Sequence, residues 1–596
     1  MKYRDVYSII IVVVVFISMG YAANMKKANL MPCQGIIGDE PLQSNAPIPY
    51  LDGRQPPGVQ IGITTYDYQA NGGFGQRLRL DDNGNVHVDW MWCGGAYPGT
   101  PRYCGWNFRF TDGTWYGETQ GSPSVSGYVQ LDVVRDANPD NQVTAIAYHY
   151  DAGGGYFGWV DTDAGQGWGL WPNNMVTPAV ADHIWPYIAI ANNNNYVMFT
   201  HGQPVPGDNH VFGHYSTDLG TNWTTFFSVD SCAAISHFVR SSHNAGSQKV
   251  VACWNKFISD TVASGQIDNN VWYILSTDGG VSWGPRVNLT NYQPYPTDSI
   301  RAYTDVNAVF DANDDLHIAW SGRRVTTDYW VASKIFHWCE ATGVVSVVNS
   351  PSIYYVDPGN WWIATTASAD PGGWRMPADQ PQLVVDETTG YLYCLWHGND
   401  DYNDGSAAGY FNGEFYGSRS TDNGITWMNY VNLTNTHTPG GGSGACDDED
   451  YMTAHPAVVN DSIYITYVED KDSGGMPQTE GVLTTNPVRV WVFHKDRISP
   501  GVAEQTSEKP QITGLSLFPN PAISYSTVSY SVAQPGNVAI DLYDAAGRLI
   551  AKLTTGYREA GIYTANINAD KLANGTYFVV LETPMETITN SLVIMH

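Results

Sequence analysis

From residue 59 onward the chain is built of short runs in which apolar and polar residues alternate, each run closed by Gly, Asn or Asp. Pro381–Gly398 shows the pattern most plainly: PQLVVDETTG and then YLYCLWHG, two segments of strand period either side of a turn. Similar pairs occur at Arg77–Trp92, Val129–Tyr150, Trp185–His201, Phe238–Trp254, Val306–Trp320 and Pro456–Val468, which makes seven. A third run commonly follows, and then a turn of nearly fixed spelling: STDLGTNW at Ser216–Trp223, STDGGVSW at Ser276–Trp283 and STDNGITW at Ser420–Trp427, with DTDAGQGW at Asp161–Trp168 as a near copy. VNLTN recurs after two of these turns, at Val287–Asn291 and Val431–Asn435.

The physical content of the turn is structural. Its third-position aspartates (Asp163, Asp218, Asp278, Asp422) accept hydrogen bonds from turn N–H groups, its fifth-position glycine permits positive φ, and its eighth-position tryptophans (Trp168, Trp223, Trp283, Trp427) pack beneath the turn. Four-stranded units repeated in this way bury their faces only against one another. The predicted fold class is therefore all-β: a β-propeller over 59–497, with seven blades, or six if one repeat is an insertion. Val59–Tyr68 is placed to supply the last strand of the seventh blade.

The S-x-D-x-G-x-x-W spelling resembles the Asp box, or BNR repeat, of sialidase-like propellers. That resemblance implies a fold more than a reaction, because one fold hosts many functions. It also implies that the Asp-box turns lie opposite a face formed by the longer loops. A sialidase-like hydrolase would need an arginine cluster, a Tyr nucleophile with a supporting Glu, and an acidic acid/base residue. The family's early R-I-P signature is absent. QRLRL at Gln76–Leu80 makes Arg77 a positional candidate, with Arg240, Arg301 and Arg323 available to complete a cluster.

The two ends of the chain read differently. Lys2 and Arg4 precede an apolar run and then Gly20, Tyr21, Ala22 and Ala23, the pattern of a signal peptide over 1–22, followed by an N-terminal extension at 23–58. Residues 498–514 read as a linker, and 515–596 as short alternating strands of a small Ig-like β-sandwich. Within the latter, FPNP at Phe518–Pro521, DAAGRLI at Asp544–Ile550 and LANGTYFVVL at Leu572–Leu581 resemble the C-terminal sorting domain of type IX secretion substrates. The resemblance implies passage through outer-membrane secretion machinery, then surface attachment or release.

Charge narrows the partners. Lys and Arg total 29 against 58 Asp and Glu, a formal net charge of −29. Such a chain repels phosphate backbones, so nucleic acid is excluded as a partner. The eight cysteines form an even set in an exported chain, and Cys93 with Cys104 is the expected local disulfide. No Cys/His spacing suggests zinc, and His201, His210 and His214 read as ordinary strand and loop histidines. CDDED at Cys446–Asp450 and NDDYNDG at Asn399–Gly405 read as solvated acidic loops, with calcium as the alternative and no metal or other cofactor assigned.

The long loops carry Trp361, Trp362, Trp374 and Tyr402 beside Arg375, Asp400 and Asp401. Aromatic faces stack on the CH groups of sugar rings while carboxylates and guanidinium groups take the hydroxyls. The expected function is binding of an extracellular glycan or another surface polymer. A sialidase-like glycoside hydrolase and a protein-binding scaffold are the alternatives, and enzyme status stays open.

Overall fold

The computed structural model describes residues 56–498 and 514–596, apart from 97–99, 152–154, 173–182, 206–207, 232, 259–267, 294–297, 325–331, 350–355, 358–360, 364–369, 400–403, 519, 521, 523–524, 533–535, 559–560 and 584–586. The proposed signal peptide lies outside the described residues, as do Cys33, Cys232, Asp400, Asp401 and Tyr402 and the side chains of Trp361 and Trp362. The protein is all-β: every helix among the described residues is a 3-10 turn of three or four residues. Two compact units divide the chain, Met1–Ser499 and Pro500–His596.

The first unit is a succession of antiparallel meanders. Leu78–Leu80, Val86–Cys93, Arg102–Arg109 and Thr119–Gln120 form one sheet, and Ser126–Val133, Thr144–Asp151 and Tyr156–Thr162 the next. His183–Ile190, Tyr196–Val205, Asp208–Ser216 and Thr224–Ser231 form a third. A ten-stranded sheet contains two further meanders, starting at Ala233–Ser241 and Ile300–Phe310 and bridged at Asn269 and Ala302. Ala378–Asp386 opens another four-stranded sheet. The last joins Asp448–Ala454, Ser462–Asp470 and Asn486–His494 to the N-terminal strand Val59–Thr64, which pairs with Asn486–His494 in antiparallel register. First strands lie side by side in chain order, and Asp448–Ala454 in turn neighbours Leu78–Leu80.

These first strands are covered on both faces; Ser126–Val133, Ala378–Asp386 and Asp448–Ala454 are buried along their whole length. Second strands bring Trp90, Trp254, Trp320 and Trp396 into the packing between sheets, each fully buried. At about 25 cal/mol per Å² over roughly 150–250 Å², each such ring contributes up to about 4–6 kcal/mol of burial free energy.

Three expectations need correction. The acidic run CDDED does not lie in a solvated loop: Asp448–Ala454 is a first strand, and Asp447, Asp448, Glu449 and Asp450 are all buried. A strand signal was missed there because carboxylates occupy positions where apolar residues ordinarily stand. Cys93 and Cys104 are free thiols, both buried. Cys93 pairs with Arg102 and Cys104 with Met91, so the two sit diagonally on the ladder, about 7–8 Å apart and beyond disulfide reach. Finally, DTDAGQGW does not make the turn its spelling suggests, as the hydrogen bonds below show.

The second unit consists of two antiparallel sheets. Gly514–Phe518, Tyr525–Val532 and Gly561–Asn568 form one; Leu549–Arg558, Gly536–Asp544, Gly575–Glu582 and Thr587–Ile594 form the other. Strand periodicity sets its core: Val538, Ile540 and Leu542 from one strand meet Val528, Tyr530 and Val532 from the other sheet.

Candidate functional site

At one end of the meanders, three recurrent turns share one set of hydrogen bonds. Ser216, Ser276 and Ser420 donate Oγ–H to Asp218, Asp278 and Asp422 at 2.7–2.8 Å. The N–H groups of Gly220, Gly280 and Gly424 reach the serine oxygens at 2.8–3.0 Å, and those of Asn222, Ser282 and Thr426 reach the aspartates at 2.8–2.9 Å. The Asn222 side chain holds the Asp218 carboxyl below its ordinary range; at Asp278 and Asp422 burial pushes upward but the Ser282 and Thr426 hydrogen bonds outweigh it. At the fourth copy Asp163 instead accepts from Gly169 and Leu170 at 3.1 and 3.0 Å, burial raises its pKa, and Trp168 is 58% exposed. The cause is local: Asp161 replaces the serine whose hydroxyl ties the other three turns together.

Inside the first unit, the segment from Tyr66 to Gln76 is buried throughout and touches strand after strand. Gly73 N–H donates to Thr304 O at 3.0 Å and to Ser236 Oγ at 3.0 Å, Thr453 Oγ1 donates to Gly75 O at 3.0 Å, and Gln76 Nε2 donates to Asp132 at 3.1 Å. Any side chain at Gly72 or Gly73 would run into Thr304, Val306 or Ser236, so glycine lets the backbone pass between them. Arg77 is absorbed by this segment, with Nη1 on Gln69 Oε1 at 2.6 Å and Nε on Val129 O at 2.9 Å. Arg240 donates to Gln76, and burial lowers its pKa to about 9.

Beside the segment, carboxylates gather. Arg375 pairs with Asp450 and lies 3.2 Å from His397 Nε2, while His397 Nδ1 meets Asp379 at 3.0 Å. Burial and Arg375 pull the His397 pKa down, but its hydrogen bonds with Asp379 and Asp448 prevail and hold it at about 9. Burial pushes Asp67 up to about 8, Asp450 to about 7 and Asp305 to about 7, the last with help from Asp379. On the other face of the same strand, Glu449 shares Thr436 with Glu414, at 2.6 and 3.4 Å from its Oγ1. Lys471 bridges Asp447 and Glu469 at 2.7 Å each, and Glu469 also takes Arg489 at 2.5 Å.

Aromatic rings adjoin this centre. Tyr68 meets Trp374 edge-on at 5.8 Å and Tyr451 at 6.1 Å, and the Arg375 guanidinium sits 4.4 Å from the Tyr451 ring centroid. Tyr303 donates its hydroxyl to Trp374 O at 2.6 Å. Trp374 is half-buried and has φ 60°, which aims the residue out of the regular backbone path.

Of the residues singled out from sequence, Trp374 and Arg375 belong to this centre, whereas Arg77 and Arg240 are tied into the segment beneath it. Arg301 and Arg323 oppose each other on a ladder, with Arg323 on Asp268 at 3.0 Å. His201 and His214 are buried strand residues whose pKa burial lowers to about 3. Sequence reasoning missed Asp67, Asp305, Asp379, His397, Asp470 and Tyr451. The usable signal was charge in runs that otherwise read as first strands, DEDYMTA and ADQPQLVVD, where an interior position tolerates Asp only when something answers it.

Residues 516–595 match the secretion system C-terminal sorting domain. The protein is thus secreted by the type IX route to the cell surface or the extracellular space. No curated protein matches the chain. Among solved structures, the α-L-arabinofuranosidase Arb93A of Fusarium graminearum with an iminosugar inhibitor is similar at 11% identity and TM-score 0.36, covering 75% of this chain and 100% of that one. Polysaccharide lyase Uly1 is similar at 12% identity and TM-score 0.40 over 79% and 100%, and the Trypanosoma rangeli sialidase with sialic acid at 11% and 0.27 over 70% and 84%.

Proposed function

We propose that this secreted protein is a seven-bladed β-propeller with Asp-box turns and a C-terminal Ig-like sandwich, and that it binds an extracellular carbohydrate polymer at the propeller end opposite those turns. The blade count is supported by the neighbour order of the first strands and by the pairing of Val59–Thr64 with Asn486–His494. The observation that carries the binding reading is the meeting of half-buried Trp374 and the Tyr68–Tyr451 rings with Arg375 and a carboxylate-rich centre. Sugar recognition uses that combination, an apolar ring face beside polar groups with fixed directions. Surplus carboxylate repels polyanions, so the favoured polymers are neutral or amino-bearing.

A sialidase-type reaction would need three convergent arginines. Arg77 and Arg240 are committed to the buried segment, Arg301 donates to Ile300 O and Arg323 pairs with Asp268, which favours binding over that chemistry. The test is retention of the secreted chain on neutral, amino-bearing and anionic polysaccharides, with Trp374→Ala alongside and its melting temperature recorded. Retention on a neutral or amino-bearing polymer, weakened at least tenfold in a folded Trp374→Ala variant, is the expected result. Retention on none of them, or undiminished binding by the variant, would overturn the reading.

A further inference from the structure

We propose that Asp448, Asp450, Asp470 and Asp67 hold a divalent cation, calcium by donor type, in the buried centre of the first unit. Asp448 and Asp470 stand directly opposite each other on one ladder, and Asp450 follows on the same face. Like charges so placed repel, and a sheet keeps them only where something compensates. Each of three carboxylates is pinned through one oxygen by a backbone N–H: Asp448 by Gly413 at 2.5 Å, Asp470 by Asp472 at 3.1 Å and Asp67 by Met476 at 2.8 Å.

That arrangement frees the second oxygens. Asp470 Oδ2 and Asp67 Oδ1 have no hydrogen-bond partner, in residues only 1% and 4% exposed. A buried carboxylate oxygen with no donor costs several kcal/mol, and two such oxygens in one cluster call for a ligand that accepts electron pairs. Asp448 and Asp450 offer oxygens within 4.8 Å of each other and of a His397 nitrogen, a separation that fits two carboxylate ligands of one calcium ion at about 2.3–2.6 Å per bond. Arg375 pairs directly with Asp450, and Lys471 is engaged by Asp447 and Glu469. His397, fixed by Asp379 through Nδ1, lies 3.2 Å from Asp450 and 3.9 Å from Asp448 through Nε2. A donor set dominated by carboxylate oxygens favours a hard cation over zinc.

The inference stands apart from polymer binding, and its test uses none. The full secreted chain is stripped with EDTA and titrated with Ca²⁺, following melting temperature and the Tyr/Trp-sensitised emission of Tb³⁺ displaced by Ca²⁺. We expect Ca²⁺ to raise the melting temperature, and Asp470→Asn and Asp67→Asn each to weaken Ca²⁺ affinity at least tenfold. The EDTA-stripped Asp470→Asn protein should melt no lower than the stripped parent, because one uncompensated charge is gone. Glu414→Gln, at the separate Asp404–Glu414–His437 group, should keep the response. The proposal falls if Ca²⁺ alters neither signal, if both Asp→Asn variants keep parental affinity, or if Glu414→Gln alone abolishes the response.

Discussion

Asp278 and Asp450 are the same side chain in the same unit, yet their environments act on them in opposite directions. At the turn, Asp278 takes hydrogen bonds from Ser276 and Ser282 side chains and from the Ser282 N–H, and its pKa falls despite partial burial. In the interior, Asp450 has Arg375 on one oxygen but faces Asp448 at close range, and burial carries its pKa up to about 7. A carboxylate surrounded by donors stabilises the fold; one surrounded by carboxylates is tolerated by it. Aspartates at the turns therefore define the scaffold, and those inside mark where the scaffold gives up stability to something else.

The sharpest way to break that contrast is to remove the interior cation. Arg375→Met leaves Asp450 and its neighbours without their guanidinium, and losing one partner of a buried ion pair costs about 3–5 kcal/mol. Denaturant unfolding should show a loss of that size, most of it recovered by Asp450→Asn in the same chain. A loss no greater than that of a turn variant would mean the interior charges are not held as described. Smaller in effect, Gly413→Ala would set a methyl group against His397 Nε2 and Asp448 Oδ1, at a ring fixed through its other nitrogen. Overpacking of this kind costs about 1–3 kcal/mol, read by the same unfolding curve.

At the turns the effect should shrink again. Asp278→Ala removes a half-buried acceptor from a local network, for which about 1 kcal/mol is expected after solvent competition, equivalent to a drop of a few degrees or less in melting temperature for a unit of this size. Asp163→Ala sharpens the comparison within the turns themselves. Its carboxylate is buried and serves Gly169 and Leu170, so its loss should exceed that of Asp278→Ala although the spelling is nearly shared.

Such differences mark the limit of what the sequence carries. Meander order was legible because turn residues punctuate strands whose apolar positions alternate, as in Pro381–Gly398. The pairing of Val59–Thr64 with a distant strand was legible because a lone strand before the first pair needs a partner. The site was half legible: Trp374 and Arg375 stood out in a long loop, but Asp448–Ala454 did not read as a strand. Interior carboxylates break the hydrophobic pattern by which a strand is recognised, so the residues that matter most to the site erased their own signal. DTDAGQGW erred the other way, since a motif cannot report that its missing hydroxyl reroutes the backbone.

The smallest predicted effect lies at the turn end and depends on pH. His317 meets His337 at 3.0 Å through Nδ1 and Asp311 at 3.6 Å through Nε2, with Cys339 close by. Burial lowers its pKa, but hydrogen bonds with Asp311 and Cys339 outweigh this and hold it at about 9, above the ordinary value near 6.5. A folded pKa above the unfolded one gives stability that is complete below about pH 6.5 and is lost as pH rises through about 9. Cys339 acts in reverse: burial raises its pKa, but His317 holds the thiol below its usual value, so its contribution grows with pH across the upper part of the same interval. The two oppose each other, so melting temperature should fall only slightly between pH 6.5 and 9. His317→Gln removes the group that gives up its proton across that interval and should flatten the fall. An equal slope in the parent and the variant would show that the His317 proton is not held by the fold.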